Sequence, residues 1–446
     1  MLNSPQGLIV PKHIPSLSLA ELSISYRKPE RINTSSGTVK TAKAAVQLGH
    51  TLLTPVSGTR PPLPCLPSTV LTYYRNDLTD FEIAEIPSYD LVYFLGHREV
   101  KVKDDNFDNE KGDYQLTAGD HIAYRYEILG VLGKGSFGIV VRCRDYKHKE
   151  EVALKVIKSK KLFSKQGLVE VRLLQMMGEK DKEGQVPVVR LKSSFVFRKH
   201  LCLTFELLSQ SLYDYMRLSR FQPQSLARVR KIAQQLLRVL AFTKKLKILH
   251  CDLKPENILF RSESTSSIKV IDFGSACLEN AKLYSYIQSR FYRAPEIVLG
   301  TGYTCAIDMW SFGCVLAELA RGRPLFPAES ERHLLALQME ILGVPPNVVL
   351  ARSSKKAQFF DSLGQPKVVV NSRGRPAYPG SSSLQNVLQD WDSDFVDLVS
   401  RCLDWNPLTR LSPDEALRHP WIDQDRIHTL QISPGVRRVR KVSLLS

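Results

Sequence analysis

Two carboxylates and one amide are the residues of this chain best placed by type and spacing to do chemistry. Asp252 lies in His250-Cys251-Asp252-Leu253-Lys254-Pro255-Glu256-Asn257, and fifteen residues past Asn257 an apolar run, Ile268-Lys269-Val270-Ile271, delivers Asp272-Phe273-Gly274. Ala294-Pro295-Glu296 closes the stretch. Moving a γ-phosphoryl group asks little covalent chemistry of a protein: a carboxylate to receive the acceptor's hydroxyl proton, and oxygen ligands to hold Mg²⁺ on the nucleotide. Asp252 suits the first task, and Asp272 with Asn257 suits the second. Each tripeptide is common by chance, but in this order and at this spacing they make a strong signal.

Elements must position these residues. Apolar positions 226, 229, 232, 233, 236, 237 and 240 recur at threes and fours, which predicts a buried helical run that ends in the segment carrying His250. Upstream, residues 126–157 read as strand, glycine turn, strand, turn, strand, with Gly133-Lys134-Gly135-Ser136-Phe137-Gly138-Ile139-Val140 at the first turn. Glycines between two β-like runs predict a hairpin over nucleotide phosphates; a dinucleotide-binding fold would set them between a strand and a helix. Lys155 ends the alternating Val152-Ala153-Leu154-Lys155, and Glu170 lies in the helical run 169–177. Taken singly they read as a solvated strand-end lysine and a solvated helical acid; taken together, Glu170 can fix Lys155 on the α- and β-phosphates. Residues 201–205 form a buried-type strand that sets Phe205 at the back of a purine pocket, with the backbone of Glu206, Leu207 and Leu208 offered to adenine. The remainder is mainly helical, with runs at 306–313, 333–343, 394–403 and 413–419. Residues 345–390, rich in Gly, Pro and Ser, read as a surface insert.

With 446 residues, 43% hydrophobic and 24% charged, the composition is that of a globular protein with room for more than one core. No run of about 18 apolar residues is present and the first residues lack the build of a secretory signal, so the expectation is a cytoplasmic or nuclear protein without a membrane partner. Eight cysteines show no CxxC pairing, which argues against a zinc site or a disulfide framework. The net charge of +17 is uneven: residues 1–63 and 426–446 contribute +5 each. No basic-aromatic recognition module accompanies it, so solvated ends are expected rather than nucleic-acid binding. Residues 1–66 read as a flexible leader with order beginning near Ser68, and apolar positions at helical spacing follow at 70–74 and 78–86.

The glycine loop, Lys155, Glu170, His250 to Asn257, Asp272 to Gly274, Ala294 to Glu296, Asp308 and Arg410 together resemble the eukaryotic protein kinases over residues 122–422. His-Cys-Asp at 250–252, Tyr284-Ser285-Tyr286-Ile287-Gln288-Ser289-Arg290-Phe291-Tyr292-Arg293-Ala294-Pro295-Glu296 and the insert narrow the resemblance to the dual-specificity tyrosine-phosphorylation-regulated kinases. Residues 89–96 resemble the accessory region of that family's second class, and 104–126 its homology box; the insert motif Phe359 to Gly364 with Asn371-Ser372-Arg373-Gly374 is similar to the fourth member's. The resemblance implies an α+β, two-lobed kinase fold. Its expected divisions are a leader at 1–66, an accessory region at 67–121, a β-rich lobe at 122–207, a helical lobe at 208–422 and a basic tail at 423–446. It implies ATP with Mg²⁺, or Mn²⁺ in its place, held at Asn257 and Asp272. It adds Lys254 to the catalytic residues and Leu132, Lys134, Ser136, Phe137, Val140 and Ala153 to the ATP-binding set. Glu296, Asp308 and Arg410 take structural roles.

Further implications concern regulation and substrates. The family phosphorylates Ser or Thr in protein substrates, frequently with Arg at the third position before and Pro directly after, and Glu256 is the candidate reader of that Arg. The chain is expected to act as a monomer and to phosphorylate its own Tyr286, whose phosphate, carrying about −1.5 to −2 charges, would be met by Arg290 and Arg293. Cys251 replaces the Arg that in most kinases meets the loop phosphate. With kinase-like packing, Cys251 and Cys277 would either form a reversible disulfide or remain two inert buried thiols. The run Arg437 to Ser443 is either a solvated tail or a nuclear address or phosphorylation site. The alternative reading is a catalytically silent scaffold, which the presence of Lys155, Asp252, Asn257 and Asp272 does not favour.

Overall fold

A computed structural model describes residues 59–102, 106–282 and 284–423 of the chain. Most of the leader, Asp104 and Asp105 of the acidic run, and the basic tail lie outside them. The described residues form two compact units, one ending at Gly167 and including Lys192–Leu207, the other made of Leu168–Leu191 and the chain from Leu208 onward. The fold is α+β, with β structure in the first unit and helices in the second.

In the first unit two short helices, α1 (Pro67–Tyr73) and α2 (Asp80–Glu85), precede the sheet. Thr79 and Glu82 close a reciprocal capping box at the start of α2, satisfying two donors that a helix end would leave unpaired. Strands β1 (His121–Ile122), β2 (Tyr126–Lys134), β3 (Gly138–Asp145) and β4 (Glu150–Ile157) follow, then α3 (Lys161–Lys180), whose residues from Leu168 on count with the second unit, β5 (Leu191–Phe197) and β6 (His200–Glu206). Alternating side chains of these strands supply the core, including Ile128, Val141, Val152, Leu154 and Phe197. The sheet order is β1-β2-β3-β4-β6-β5.

Ordered packing starts earlier than Ser68. Cys65 exchanges backbone hydrogen bonds with Val92 at 3.0 and 2.9 Å and joins Val70, Ile86, Val92, Leu95 and Tyr124 in a small core of its own. This accessory core is tied to the sheet through the β5–β6 turn. Arg198 there donates to Glu85 at 2.9 Å and to the Tyr114 hydroxyl at 2.9 Å, and its guanidinium lies 4.0 Å from the Phe107 ring centre. Nearby, Glu82 is buried between Lys101 (2.8 Å) and His121 (2.7 Å), a carboxylate whose desolvation is offset by two basic partners.

The second unit is built on α4 (Leu212–Leu218), α5 (Leu226–Lys245) and a set of short strands, β7 (Ile248–Leu249), β8 (Ile258–Phe260), β9 (Ile268–Val270) and β10 (Cys277–Leu278), which pair β7 with β10 and β8 with β9. The helical run of the sequence reading stops before His250: α5 ends at Lys245, Lys247 adopts a left-handed φ of 58°, and β7 delivers the histidine. Helices α6 (Pro295–Leu299), α7 (Ala306–Arg321) and α8 (Glu331–Leu342) come next, and every residue of α7 from Ile307 to Ala320 is buried. Residues 345–390 are irregular for most of their length but carry short elements, α9 (Asn347–Leu350), α10 (Lys356–Phe359), a hairpin of β11 (Val369–Val370) and β12 (Pro376–Ala377), and α11 (Leu384–Val387). They bury Phe359, Phe360, Leu384 and Leu388. Helices α12 (Ser393–Cys402) and α13 (Pro413–Ala416) end the unit.

Candidate active site

The first unit carries the glycine hairpin. β2 runs through Leu132, Gly133 and Lys134 and returns at Gly138, with Gly135 donating to the Gly138 carbonyl at 2.9 Å across the turn. Gly138 is required by the protein itself, since a Cβ there would sit 2.0 Å from the Val156 carbonyl oxygen. At Gly133 a Cβ would meet nothing within 4 Å, and at Gly135 only the Gly138 carbonyl oxygen at 4.0 Å. The absent side chains at these two positions therefore leave space outside the hairpin, the room a phosphate cradle needs. Ala153 and Lys155 sit on β4, with Ala153 opposite Phe205 and Lys155 between Val140 and Leu203. Lys155 and Phe205 are buried, while Leu132 is exposed and Glu206 and Leu207 are half-buried.

In the second unit, Glu170 is buried on α3 and Leu208 is half-buried. The segment around Asp252 is fixed by backbone donors. His250 and Cys251 give their N–H groups to Asp308 at 2.8 and 3.1 Å, so the buried carboxylate at the start of α7 pins the catalytic turn. Burial pushes the Asp308 carboxyl up, and the His250 charge and these two bonds pull against it. His250 also bonds the Ile271 carbonyl at 3.0 Å and stacks edge-on against Phe273 at 4.8 Å, which joins the Asp252 turn to the Asp272 turn. Cys251 and Asp272 hold left-handed φ values of 64° and 59°, strained for non-glycine residues and placed here at the Asp252 and Asp272 turns.

Asp252 uses both oxygens. Oδ1 accepts from the Ser289 N–H at 3.0 Å and from its hydroxyl at 2.7 Å, and Oδ2 lies 2.8 Å from Lys254 Nζ. Lys254 in turn donates to the Ser289 hydroxyl at 2.9 Å. Burial works against the Lys254 ammonium, but Asp252 beside it outweighs this and the net shift is upward, so lysine and aspartate are held as an ion pair. Asn257 donates to the Asp252 carbonyl at 2.9 Å, leaving its amide oxygen as a ligand atom, and Asp272 accepts from Gly274 N at 3.3 Å. Asn257 and Asp272 together present the oxygen donors that a hard divalent cation prefers. The sequence reading assigned Ser289 no role; its signal was a hydroxyl next to Gln288 in a segment otherwise explained by Tyr and Arg.

Gln288 stands in a left-handed conformation with φ 66°, and its carbonyl accepts from Arg293 Nη2 at 2.9 Å. The Arg293 guanidinium also bonds the Ile287 carbonyl at 2.9 Å and lies 3.9 Å from the Tyr286 ring centre. Tyr286 is 47% exposed. Arg290 points elsewhere: its Nη1 donates to the Glu329 carbonyl at 2.8 Å and approaches that of Ala328 at 3.5 Å. Of the two expected arginine partners, the structure brings Arg293 to Tyr286 and directs Arg290 to the turn before α8. The Cys251 and Cys277 sulfurs, both buried, are 3.9 Å apart in a hydrogen-bonded contact, with the shared proton drawing the Cys277 thiol below its ordinary value. Glu296 and Arg410 form a two-pronged pair of 2.6 and 2.8 Å with both side chains fully buried, and Arg410 also bonds the Ala306 carbonyl at 2.9 Å.

Glu256 is exposed beside this turn. Behind it Glu318 is buried on α7 and accepts from the Tyr292 hydroxyl at 2.7 Å; burial raises its carboxyl to about 7, with the Glu256 charge adding to the rise and the Tyr292 bond opposing it.

The protein kinase domain family matches residues 126–422. Among curated proteins, the chain is 47% identical to dual specificity tyrosine-phosphorylation-regulated kinase 4 of Homo sapiens over 83% of its own length and 72% of that protein's. It is 44% identical to the corresponding kinase 2 of Drosophila melanogaster (80% and 51%) and 44% identical to kinase 3 of Rattus norvegicus (81% and 66%). The chain thus spans between about half and seven-tenths of the length of these relatives. A kinase match that covers the glycine hairpin, the Asp252 turn and the Asp272 turn together, with these relatives alongside, establishes that the chain belongs to the dual-specificity tyrosine-phosphorylation-regulated family of protein kinases.

Proposed function

We propose that this chain transfers the γ-phosphoryl group of MgATP to Ser or Thr in protein substrates carrying Arg three residues before and Pro directly after the acceptor, once it has phosphorylated its own Tyr286. The observation that carries the reading is the Asp252 carboxylate, held between Ser289 and Lys254 on a turn whose His250 and Cys251 N–H groups are taken by Asp308. An aspartate so fixed can orient an acceptor hydroxyl and take its proton, while Lys254 offsets the charge. Asn257 and Asp272 would hold Mg²⁺, or Mn²⁺ in its stead. Lys155 would hold the α- and β-phosphates, with Glu170 its expected partner, and Phe205 to Leu208 would meet the adenine.

Preference for Pro is supported by Gln288. Its carbonyl is taken by Arg293, so this segment offers no acceptor there for a substrate N–H, and a residue without that donor loses nothing. Preference for Arg is supported by the exposed carboxylate of Glu256. The relatives' name, dual specificity, supports a tyrosine step as well, and Arg293 over Tyr286 supplies a cation where the phosphate would form. Action as a monomer and residence in the cytoplasm, with the nucleus as a second location, complete the proposal.

The test uses radiolabelled ATP and four peptides built on Arg-x-x-Ser-Pro, with Ala replacing Arg, Pro, both or neither. Transfer should fall about tenfold or more for each replacement: loss of Arg removes a charge-assisted contact, and replacement of Pro brings an N–H that finds no acceptor. Equal rates on all four peptides would remove the substrate reading.

A further inference from the structure

The turn that follows the acidic run contains a buried aspartate that the phosphate chemistry does not use. Asp113 is 2% exposed, yet it faces two lysines and the tip of the glycine hairpin. Its Oδ2 lies 3.1 Å from Lys134 Nζ, the lysine between Gly133 and Gly135, and accepts from Asn109 Nδ2 at 3.2 Å. Its Oδ1 is buried without a hydrogen-bond partner, 3.6 Å from Lys158 Nζ. Lys158 spans the remaining distance: its ammonium donates to the Ser136 carbonyl at 2.8 Å, and its backbone N–H to the Phe137 carbonyl at 3.0 Å. Both are residues of the hairpin tip.

The turn itself is anchored rather than loose. Ser159 N–H donates to the Gly112 carbonyl at 3.1 Å, and the Asp108 carboxylate takes the Ser159 hydroxyl at 2.5 Å and contacts His200 at 2.7 Å. Asp113 is therefore a fixed negative charge on an immobile turn, aimed at the one lysine inside the glycine loop and at the lysine that braces the loop's tip. Burial alone would push its carboxyl up, but Asn109, Lys134 and Lys158 outweigh this and keep it ionised.

We propose that Asp113 is a positioning residue for nucleotide binding: it holds the Lys134 ammonium back from the hairpin mouth and fixes Lys158 on the Ser136 carbonyl, so that the loop's N–H groups stand ready for the phosphates. A loop held in its bound shape before the ligand arrives loses less freedom on binding, so the effect belongs in nucleotide affinity rather than in the transfer step. The inference rests on the kinase reading of the hairpin.

The experiment compares wild type with Asp113→Asn, which preserves shape and the Asn109 contact but removes the charge. The expected result is a rise of about 3- to 10-fold in KM for MgATP and in Kd for ADP, with kcat changed less than about twofold, and faster hydrogen exchange at residues 133–138. Asp113→Glu should recover most of the affinity, and Lys158→Met should reproduce the loss and serves as the deciding variant if Asp113→Asn does not fold. Unchanged KM and unchanged exchange in a folded Asp113→Asn protein, or a fall in kcat alone, would overturn the proposal. Absence of phosphate transfer by wild type would instead count against the kinase reading, while ADP affinity and loop exchange would still decide the role of Asp113.

Discussion

Arg293 does two jobs with one planar group. It fixes the Gln288 carbonyl and covers the Tyr286 ring, so a phosphate on Tyr286 would form within reach of a cation that already shapes the segment. Arg290 must first give up the carbonyls of Ala328 and Glu329 to join it. Arg293→Ala is therefore expected to lower peptide phosphorylation about tenfold or more, and Arg290→Ala by less, because charge-assisted bonds of this kind are worth roughly 1.5–3 kcal/mol each. Initial rates of the two variants, with Tyr286→Phe alongside, check the order; equal losses from both arginines would contradict it. Sequence gave the identity of both arginines but not this division of labour. Four and seven residues beyond a tyrosine are both near in the chain, and only the path of the backbone through Ser289 and the turn before α8 separates them.

At the level of elements, two buried groups on and around α7 set stability. The Glu296–Arg410 pair lies wholly out of water, so cutting one side leaves an uncompensated charge; Arg410→Ala should cost about 3–5 kcal/mol in urea unfolding of the second unit. Glu318 acts in the opposite sense to a paired carboxylate. Its folded value is raised from 4.5 to about 7 by burial, so the folded state binds its proton more tightly than the unfolded state does. That contribution is fully present below about pH 4.5 and is lost as pH rises through about 7, about 3 kcal/mol. Glu318→Gln, which keeps an acceptor for Tyr292, should flatten this part of the Tm–pH curve; an identical slope in both proteins would refute the assignment. The long elements were legible because their patterns were long: α5 repeats apolar residues every third or fourth position, α7 is an apolar run, and the hairpin alternates around its glycines. The end of α5 was hidden, since Lys244-Lys245-Leu246-Lys247 holds neither Gly nor Pro and the left-handed turn falls on a lysine. The small elements of 345–390 were hidden too, being four residues or fewer.

Across the whole molecule, the accessory segment ahead of the sheet is packed by design rather than appended. Arg198, Glu85, Glu82, Lys101 and His121 tie it to β1 and the β5–β6 turn through buried, paired charges. If the tyrosine step is directed at the chain's own Tyr286, it should occur within one chain. Tagged Asp272→Asn protein co-expressed with active wild type should then carry little phosphate on Tyr286, and heavy labelling of the inactive copy would contradict a self-directed reaction. The account as a whole stands on Asp252 as the group that receives the acceptor's proton. The most direct measurement sets the rate of peptide phosphorylation beside the ADP dissociation constant for wild type and Asp252→Asn. The prediction is a loss of about 10²–10⁴ in rate with nucleotide affinity nearly unchanged; an Asp252→Asn protein that still transfers phosphate at the wild-type rate would contradict it.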